Sequence, residues 1–103
     1  MAAQSLVVYF TYGSRDLEAL FALEEKLNEA IDAAGVGEFA GDEVSVDGTD
    51  AYLFFCGPDA RGLFDVVGPI LEQVPFMRGA EALLRYGDLD DGDVEEDLVI
   101  IGS

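Results

Sequence analysis

Carboxylates are the residues of this chain with the clearest capacity for chemistry. Asp42, Glu43, Asp47 and Asp50 lie close together in the sequence. Paired carboxylates can carry out acid–base catalysis when burial drives their pKa values apart. Asp47 belongs to an Asp-Gly dipeptide that is typical of a turn, and the other three lie on either side of it. In turns, polar side chains bond to their own backbone. Turn formation accounts for Asp47 and Asp50, so we do not predict a catalytic site here.

A second acidic stretch lies near the end of the chain, between Asp88 and Asp97. It contains Asp88, Asp90, Asp91 and Asp93. Calcium prefers several oxygen ligands, but a helix–loop–helix calcium loop requires Gly at its sixth position and Glu at its twelfth. Counted from Asp88, Gly falls at the fifth position and Val at the twelfth. We therefore predict a mobile, solvated acidic segment rather than a defined metal site, with loose binding of a divalent cation as the alternative.

Other catalytic and cofactor chemistry is disfavoured by composition. The chain has no His, which removes the usual catalytic triads and imidazole metal sites. Cys56 follows a strand-like segment with no neighbouring cation, so a packed core thiol is expected rather than a nucleophile. Glycines 35, 37 and 41 have no Lys after them to form a phosphate loop. We predict neither an enzyme nor a cofactor.

The charge balance limits the partners of the chain. Asp and Glu number 22 against five Lys and Arg, which gives a net charge of -17. Nucleic acids and anionic lipid surfaces are bound through Lys and Arg, so both are excluded as expected partners. Two explanations of the charge remain open: solubility in a saline habitat, or a surface that attracts a basic protein. A lone Cys and an N-terminus without a positive start favour a cytoplasmic location.

The first half of the chain contains the patterns of one strand and one helix. Ser5 to Tyr12 is rich in β-branched and aromatic residues, which predicts a strand. A helix is predicted from Asp16 to Ala34, with Ser14 or Asp16 capping its start and Gly35 closing its end. Apolar residues recur at helical spacing at Leu20, Leu23, Leu27, Ile31 and Ala34, and the outer face carries Glu18, Glu24, Glu25, Glu29 and Asp32.

The second half repeats the plan of strand, glycine, cap and helix. Glu43 to Val46 and Ala51 to Cys56 predict a β-hairpin. Asp59 is placed to cap a second helix that ends before Pro75, with a kink or a split at Gly68-Pro69. Ala82 to Tyr86 predicts a fourth strand. Leu98 to Ile101 regains strand character and is expected to return as an edge strand.

The order of these elements is βαββαβ, which predicts an α+β, ferredoxin-like sandwich. In that fold a four-stranded antiparallel sheet is covered on one face by two helices. We assign residues 1–87 to this single domain and residues 88–103 to an acidic segment with an optional terminal strand.

Aromatic residues on the predicted strands divide between the two faces of the sheet. Alternation places Leu6, Val8, Phe10 and Tyr12 on one face, with Val7, Tyr9 and Thr11 on the other. On the third strand, Leu53 and Phe55 oppose Tyr52, Phe54 and Cys56. Base stacking by such aromatics requires surrounding cations, which this chain lacks. An apolar open face is better suited to a partner protein or a second protomer.

Several segments resemble a group of small, acidic, uncharacterised bacterial proteins. They are Leu20 to Leu27, Ala33 to Phe39, Gly57 to Ala60 and Arg85 to Gly87. The resemblance covers most of the chain through Gly87. It implies a bacterial ferredoxin-like domain, and it implies no activity and no catalytic residue. Small acidic bacterial domains also include immunity proteins that neutralise basic nuclease toxins, which is an analogy of class and charge alone.

These observations favour a non-enzymatic cytoplasmic module that binds a basic protein, as a toxin antagonist or a nucleic-acid mimic. The expected contacts are Asp42, Glu43, Asp47, Asp50, Asp88, Asp90, Asp91 and Asp93. One alternative is a regulatory domain that binds a small ligand between two protomers, as a homodimer through the open sheet face. A carboxylate-dependent enzyme ranks last, because no base can be identified.

Overall fold

The computed structural model describes residues 4–13, 16–46, 49–87 and 93–102. Its strands are β1 Gln4–Phe10, β2 Glu38–Val44, β3 Ala51–Gly57, β4 Glu81–Arg85 and β5 Glu96–Ile100. Its helices are α1 Glu18–Ala34, between β1 and β2, and α2 Ala60–Leu71, between β3 and β4. A short 3-10 turn, Pro75–Met77, precedes β4. The described chain is therefore α+β, as its pattern predicted.

All described strands belong to one antiparallel sheet, in the order β2-β3-β1-β4-β5. The sheet has five strands rather than the predicted four, because the optional terminal strand pairs with β4 from Glu81↔Ile100 to Arg85↔Glu96. The predicted start of β2 at Glu43 was wrong. The strand begins at Glu38, and a bulge between Phe39 and Gly41 had interrupted its alternation.

Both helices begin close to their sequence signals, and α1 also ends at its predicted closing glycine. The Asp16 carboxylate accepts a 3.0 Å hydrogen bond from the Glu18 amide, and Gly35 closes α1 with a φ of 67°. The Asp59 carboxylate accepts from the Arg61 amide at 3.1 Å and so caps α2. Helix α1 begins at Glu18, two residues later than predicted. Within the described residues, no helix is long and apolar enough to cross a membrane.

Helix α2 contains Pro69 and ends two residues after it, at Leu71. The helix was predicted to continue to Val74. Beyond Leu71 the backbone tightens, because the amides of Gln73 and Val74 bond to the carbonyls three residues earlier, at 3.2 and 3.0 Å. The chain then leaves the helix before Pro75.

The core lies between the two helices and one face of the sheet. The core residues of β1, β3 and β4 alternate along each of these strands, and the helices contribute one apolar stripe each. On β1, Ser5 and Val7 of the opposite face are buried as well. The sheet provides Leu6, Val8, Phe10, Ala51, Leu53, Phe55, Ala82 and Leu84, and the helices provide Leu20, Leu23, Leu27, Ile31, Ala60, Leu63, Val67 and Leu71. Ile101 joins the same core just after β5.

Candidate functional site

The sheet face opposite the helices, which we call the open face, is built from three rows of side chains. Residues paired across neighbouring strands point to the same side of a sheet, so the pairing register defines each row. The tyrosine row is Glu43, Tyr52, Tyr9, Glu81 and Ile100; the apolar row is Gly41, Phe54, Val7, Leu83 and Leu98; the third row is Glu38, Cys56, Ser5, Arg85 and Glu96.

The apolar row gives the open face a hydrophobic centre. Phe54 and Leu83 are half-buried on either side of Val7, while Leu98 on the edge strand keeps 54% of its surface exposed. Ile100, at the end of the tyrosine row, remains 39% exposed. Contiguous apolar side chains of this kind on a small protein are typical of a surface that contacts another molecule.

The tyrosine row combines aromatic rings with carboxylates. The rings of Tyr9 and Tyr52 lie 5.0 Å apart between centroids, and the Tyr52 ring is nearly parallel to that of Phe54 at 6.1 Å. Glu43 pairs with Tyr52 on one side of the rings, and Glu81 pairs with Tyr9 on the other. The row therefore places negative charge on both sides of a pair of aromatic rings.

Asp50 supplies a third carboxylate at the same edge of the open face. The Tyr9 hydroxyl donates a 2.7 Å hydrogen bond to Oδ1 of Asp50. That bond and the charge of Asp50 raise the pKa of the Tyr9 phenol above its ordinary value, because both disfavour the phenolate. Asp50 is itself held where β2 meets β3, since its amide donates to Oγ of Ser45 at 3.0 Å and its carbonyl accepts from the Ser45 amide.

The third row is polar and closed by internal contacts. Arg85 donates a 2.8 Å hydrogen bond to Glu96, and the buried Ser5 hydroxyl donates to the carbonyl of Gly87 at 2.9 Å. Cys56 lies in this row and is half-buried. The prediction of a core thiol was therefore wrong, because Cys56 lies one residue away from the core-facing position of Phe55.

The predicted contact residues divide between different surfaces. Glu43 and Asp50 border the open face, whereas Asp42 pairs with Leu53 and lies on the helix side of the sheet. Asp93 is exposed. Asp47, Asp88, Asp90 and Asp91 lie outside the described residues.

Part of the second acidic stretch belongs to the sheet, against the prediction that it could not order itself. Glu96 and Asp97 are the first two residues of β5. Asp97 accepts a 2.6 Å hydrogen bond from the Tyr86 hydroxyl and lies 3.8 Å from the Arg61 guanidinium. Tyr86 lies just after β4 and Arg61 lies on α2, so sequence proximity gave no sign of these partners.

A carboxyl pair between Glu24 and Asp42 was not predicted. The sequence assigned Glu24 to the outer face of α1. In the structure, its side chain hydrogen-bonds to Asp42 of β2. Its Oε2 atom is buried and has no hydrogen-bond partner among the described residues. Burial, with the bond and charge of Asp42, raises the pKa of Glu24 to about 8. A pKa this high favours a protonated Glu24 carboxyl at neutral pH, hydrogen-bonded to Asp42. Extension of the predicted strand back from Val44 by one more residue pair would have placed Asp42 on the helix side, because alternate residues share a face.

Within the described ranges, no group of three or more Asp, Glu or Cys side chains is arranged so that it could hold a metal ion. Comparison of the chain with protein-family models, with curated proteins and with solved structures finds no match. The arrangement of the open face is thus the main guide to function. Its aromatic, apolar and carboxylate groups are suited to binding a cationic surface with an apolar component.

Proposed function

We propose that this chain is a non-enzymatic, cytoplasmic module that binds a basic protein through its open face. We also propose that β1 to β4 with the two helices form a ferredoxin-like domain, to which β5 adds an edge strand. The observation that carries the functional proposal is the open face itself, in which an apolar row lies next to aromatic rings bordered by Glu43, Glu81 and Asp50.

The apolar row would supply most of the binding free energy. Burial of apolar surface contributes about 25 cal/mol per Å² removed from water, and Tyr and Phe give large contact areas with few rotatable bonds. Leu98 of the apolar row is 54% exposed, and Tyr52 of the adjoining tyrosine row is 36% exposed, so both have surface left to bury. A partner that covers these two side chains would remove from water apolar surface that is exposed in the free protein, and this burial would stabilise the complex.

The carboxylates would select the partner by charge. A net charge of -17 attracts a basic surface over several ångströms and repels acidic proteins, nucleic acids and anionic membranes. An antagonist of a basic toxin or a mimic of nucleic acid has this combination of acidity and an exposed docking face. Both roles predict association that slows and weakens as salt rises.

A second copy of the chain is the alternative occupant of the open face, as in a dimeric sensor that binds a small ligand between protomers. The exposed Leu98 and Ile100 support it. Charge opposes it, because two copies carrying -17 each repel one another before any contact forms. Sedimentation velocity at low and high salt separates the two, since a dimer held by apolar contacts strengthens as salt screens that repulsion.

The test is a pull-down from lysate of the source organism that compares the wild type with two charge-matched variants. Tyr52→Glu with Leu98→Glu disrupts the open face, while Phe21→Glu with Val46→Glu introduces the same charges at apolar side chains outside the three rows, which are 53% and 99% exposed. We expect a basic protein that the wild type and the control retain, that the open-face variant loses, and that is released as salt rises. Equal retention by both variants would contradict the proposal.

A further inference from the structure

The tyrosine row of the open face points to a specific ligand chemistry. We propose that it is an arginine-binding site, where a partner's guanidinium group lies over the ring of Tyr52 and pairs with the carboxylate of Glu43. This inference rests on the proposed function, and it names the group that the partner must present.

The register brings the required groups together. Tyr52 is directly opposite Glu43 on one side and Tyr9 on the other, and Glu81 follows Tyr9 on β4. Neighbouring strands are about 4.8 Å apart, so a carboxylate flanks each tyrosine at the distance of one strand. A guanidinium is planar and delocalised; it stacks on aromatic rings and forms paired hydrogen bonds with a carboxylate.

Packing holds the rings in place before a ligand arrives. Tyr9 is fixed by its 2.7 Å hydrogen bond to Asp50, and Tyr52 packs between Tyr9 and Phe54. Little side-chain entropy is then lost when a guanidinium binds. Lys offers a compact, strongly hydrated charge that neither stacks nor forms a paired fork, so the row should distinguish Arg from Lys.

The cation that the strands themselves provide does not occupy this row. Within the described strands, Arg85 is the one residue with a cationic side chain. It donates a 2.8 Å hydrogen bond to Glu96 in the third row. The carboxylates of the tyrosine row are therefore open to an external cation, with Asp50 adding negative charge beside Tyr9. An arginine-rich segment of a partner matches both the charge and the aromatic surface.

The experiment measures the affinity of the full-length protein for two synthetic peptides that differ only in carrying Arg or Lys at every basic position. Isothermal titration at low and at physiological salt gives both dissociation constants. We expect the Arg peptide to bind about tenfold more tightly than the Lys peptide, which is about 1.4 kcal/mol. Equal affinities for the two peptides, or no binding of either, would overturn the inference.

Three variants within the tyrosine row, with one control outside it, show whether the preference arises at that row. Tyr52→Phe keeps the ring and should keep the preference for Arg, whereas Tyr52→Leu should abolish it. Glu43→Gln should weaken both peptides, and Glu72→Gln, the same charge change at the exposed end of α2, should leave the ratio unchanged. A preference that survives Tyr52→Leu contradicts this site. If both peptides bind equally and the pull-down still depends on the open face, the arginine site fails while the proposed function stands.

Discussion

The Tyr9 hydroxyl donates a 2.7 Å hydrogen bond to Oδ1 of Asp50, a residue that lies 41 positions further along the chain. The bond joins the central strand β1 to the point where β2 turns into β3. It fixes a carboxylate beside the aromatic rings of the open face, and it links the acidic hairpin to the apolar surface that the hairpin borders.

We expect the Asp50→Asn substitution to lower the pKa of the Tyr9 phenol towards its ordinary value of 10.0. The carboxylate accepts a hydrogen bond from the phenol and repels the negative charge of the phenolate, whereas an amide carries no charge. Absorbance of tyrosinate during an alkaline titration measures the change. Tyr9→Phe is the control: in that background Asp50→Asn should no longer shift the titration, and a persistent shift would assign it to another tyrosine.

The Glu24 and Asp42 pair should make stability depend on pH. Because the pKa of Glu24 rises from 4.5 to about 8 on folding, the folded state holds a proton that the unfolded state releases between those values. Stability from this group is therefore complete below pH 4.5 and decreases as pH rises towards 8. Glu24→Gln should remove that decrease and stabilise the protein at alkaline pH by about 1 kcal/mol, after allowance for solvent screening.

Thermal melts from pH 4 to pH 9 of the wild type, Glu24→Gln and Glu25→Gln test this prediction. Glu25 is the exposed neighbour on α1, so its variant controls for the loss of one charge. Parallel curves for all three proteins would show that the pair does not share a proton.

Gly57 should be intolerant of a side chain. A Cβ at this position would lie 2.2 Å from the carbonyl oxygen of Val36, and backbone cannot move aside cheaply. Gly57→Ala should therefore destabilise the fold by about 1–3 kcal/mol. Gly62→Ala is the matched control, because its Cβ would meet nothing closer than 3.6 Å and alanine favours the helix by about 0.5–1 kcal/mol. Urea denaturation compares the two, and equal effects would refute the close approach.

Strand β5 and the residue that follows it should contribute to the stability of the fold. Ile101 is 2% exposed, its amide donates to the Ala80 carbonyl at 2.9 Å, and its carbonyl accepts from Gly79 at 2.8 Å. Ile101→Ala should cost about 2–5 kcal/mol. Ile100→Ala, next to it but 39% exposed, should cost under about 1 kcal/mol. Similar small losses in both variants would mean that the segment is not docked.

The sequence predicted what local periodicity determines. The alternation of Leu6, Val8 and Phe10 against Val7 and Tyr9 gave the two faces of the sheet, because a strand has a side-chain period of two. The cap at Asp59 and the closing glycine at 35 were likewise local signals.

What the sequence did not predict depends on contacts between distant segments. The Glu24 and Asp42 pair joins a helix to a strand, and the order of Glu96 and Asp97 depends on Arg85, Tyr86 and Arg61. The start of β2 was also missed, because the bulge between Phe39 and Gly41 interrupts the alternation of side chains along the strand. The open face was expected as an apolar surface, but the alignment of Glu43, Tyr52, Tyr9 and Glu81 follows from register, which one sequence does not reveal.

The most direct test of the central claim is to map amide chemical shifts of the isotope-labelled protein while the Arg peptide is added. We predict shift changes that concentrate on the tyrosine and apolar rows, which cross β2, β3, β1, β4 and β5, and that diminish as salt rises. Changes that concentrate instead on the exposed carboxylates of α1 and α2, with the rows unaffected, would contradict binding at the open face.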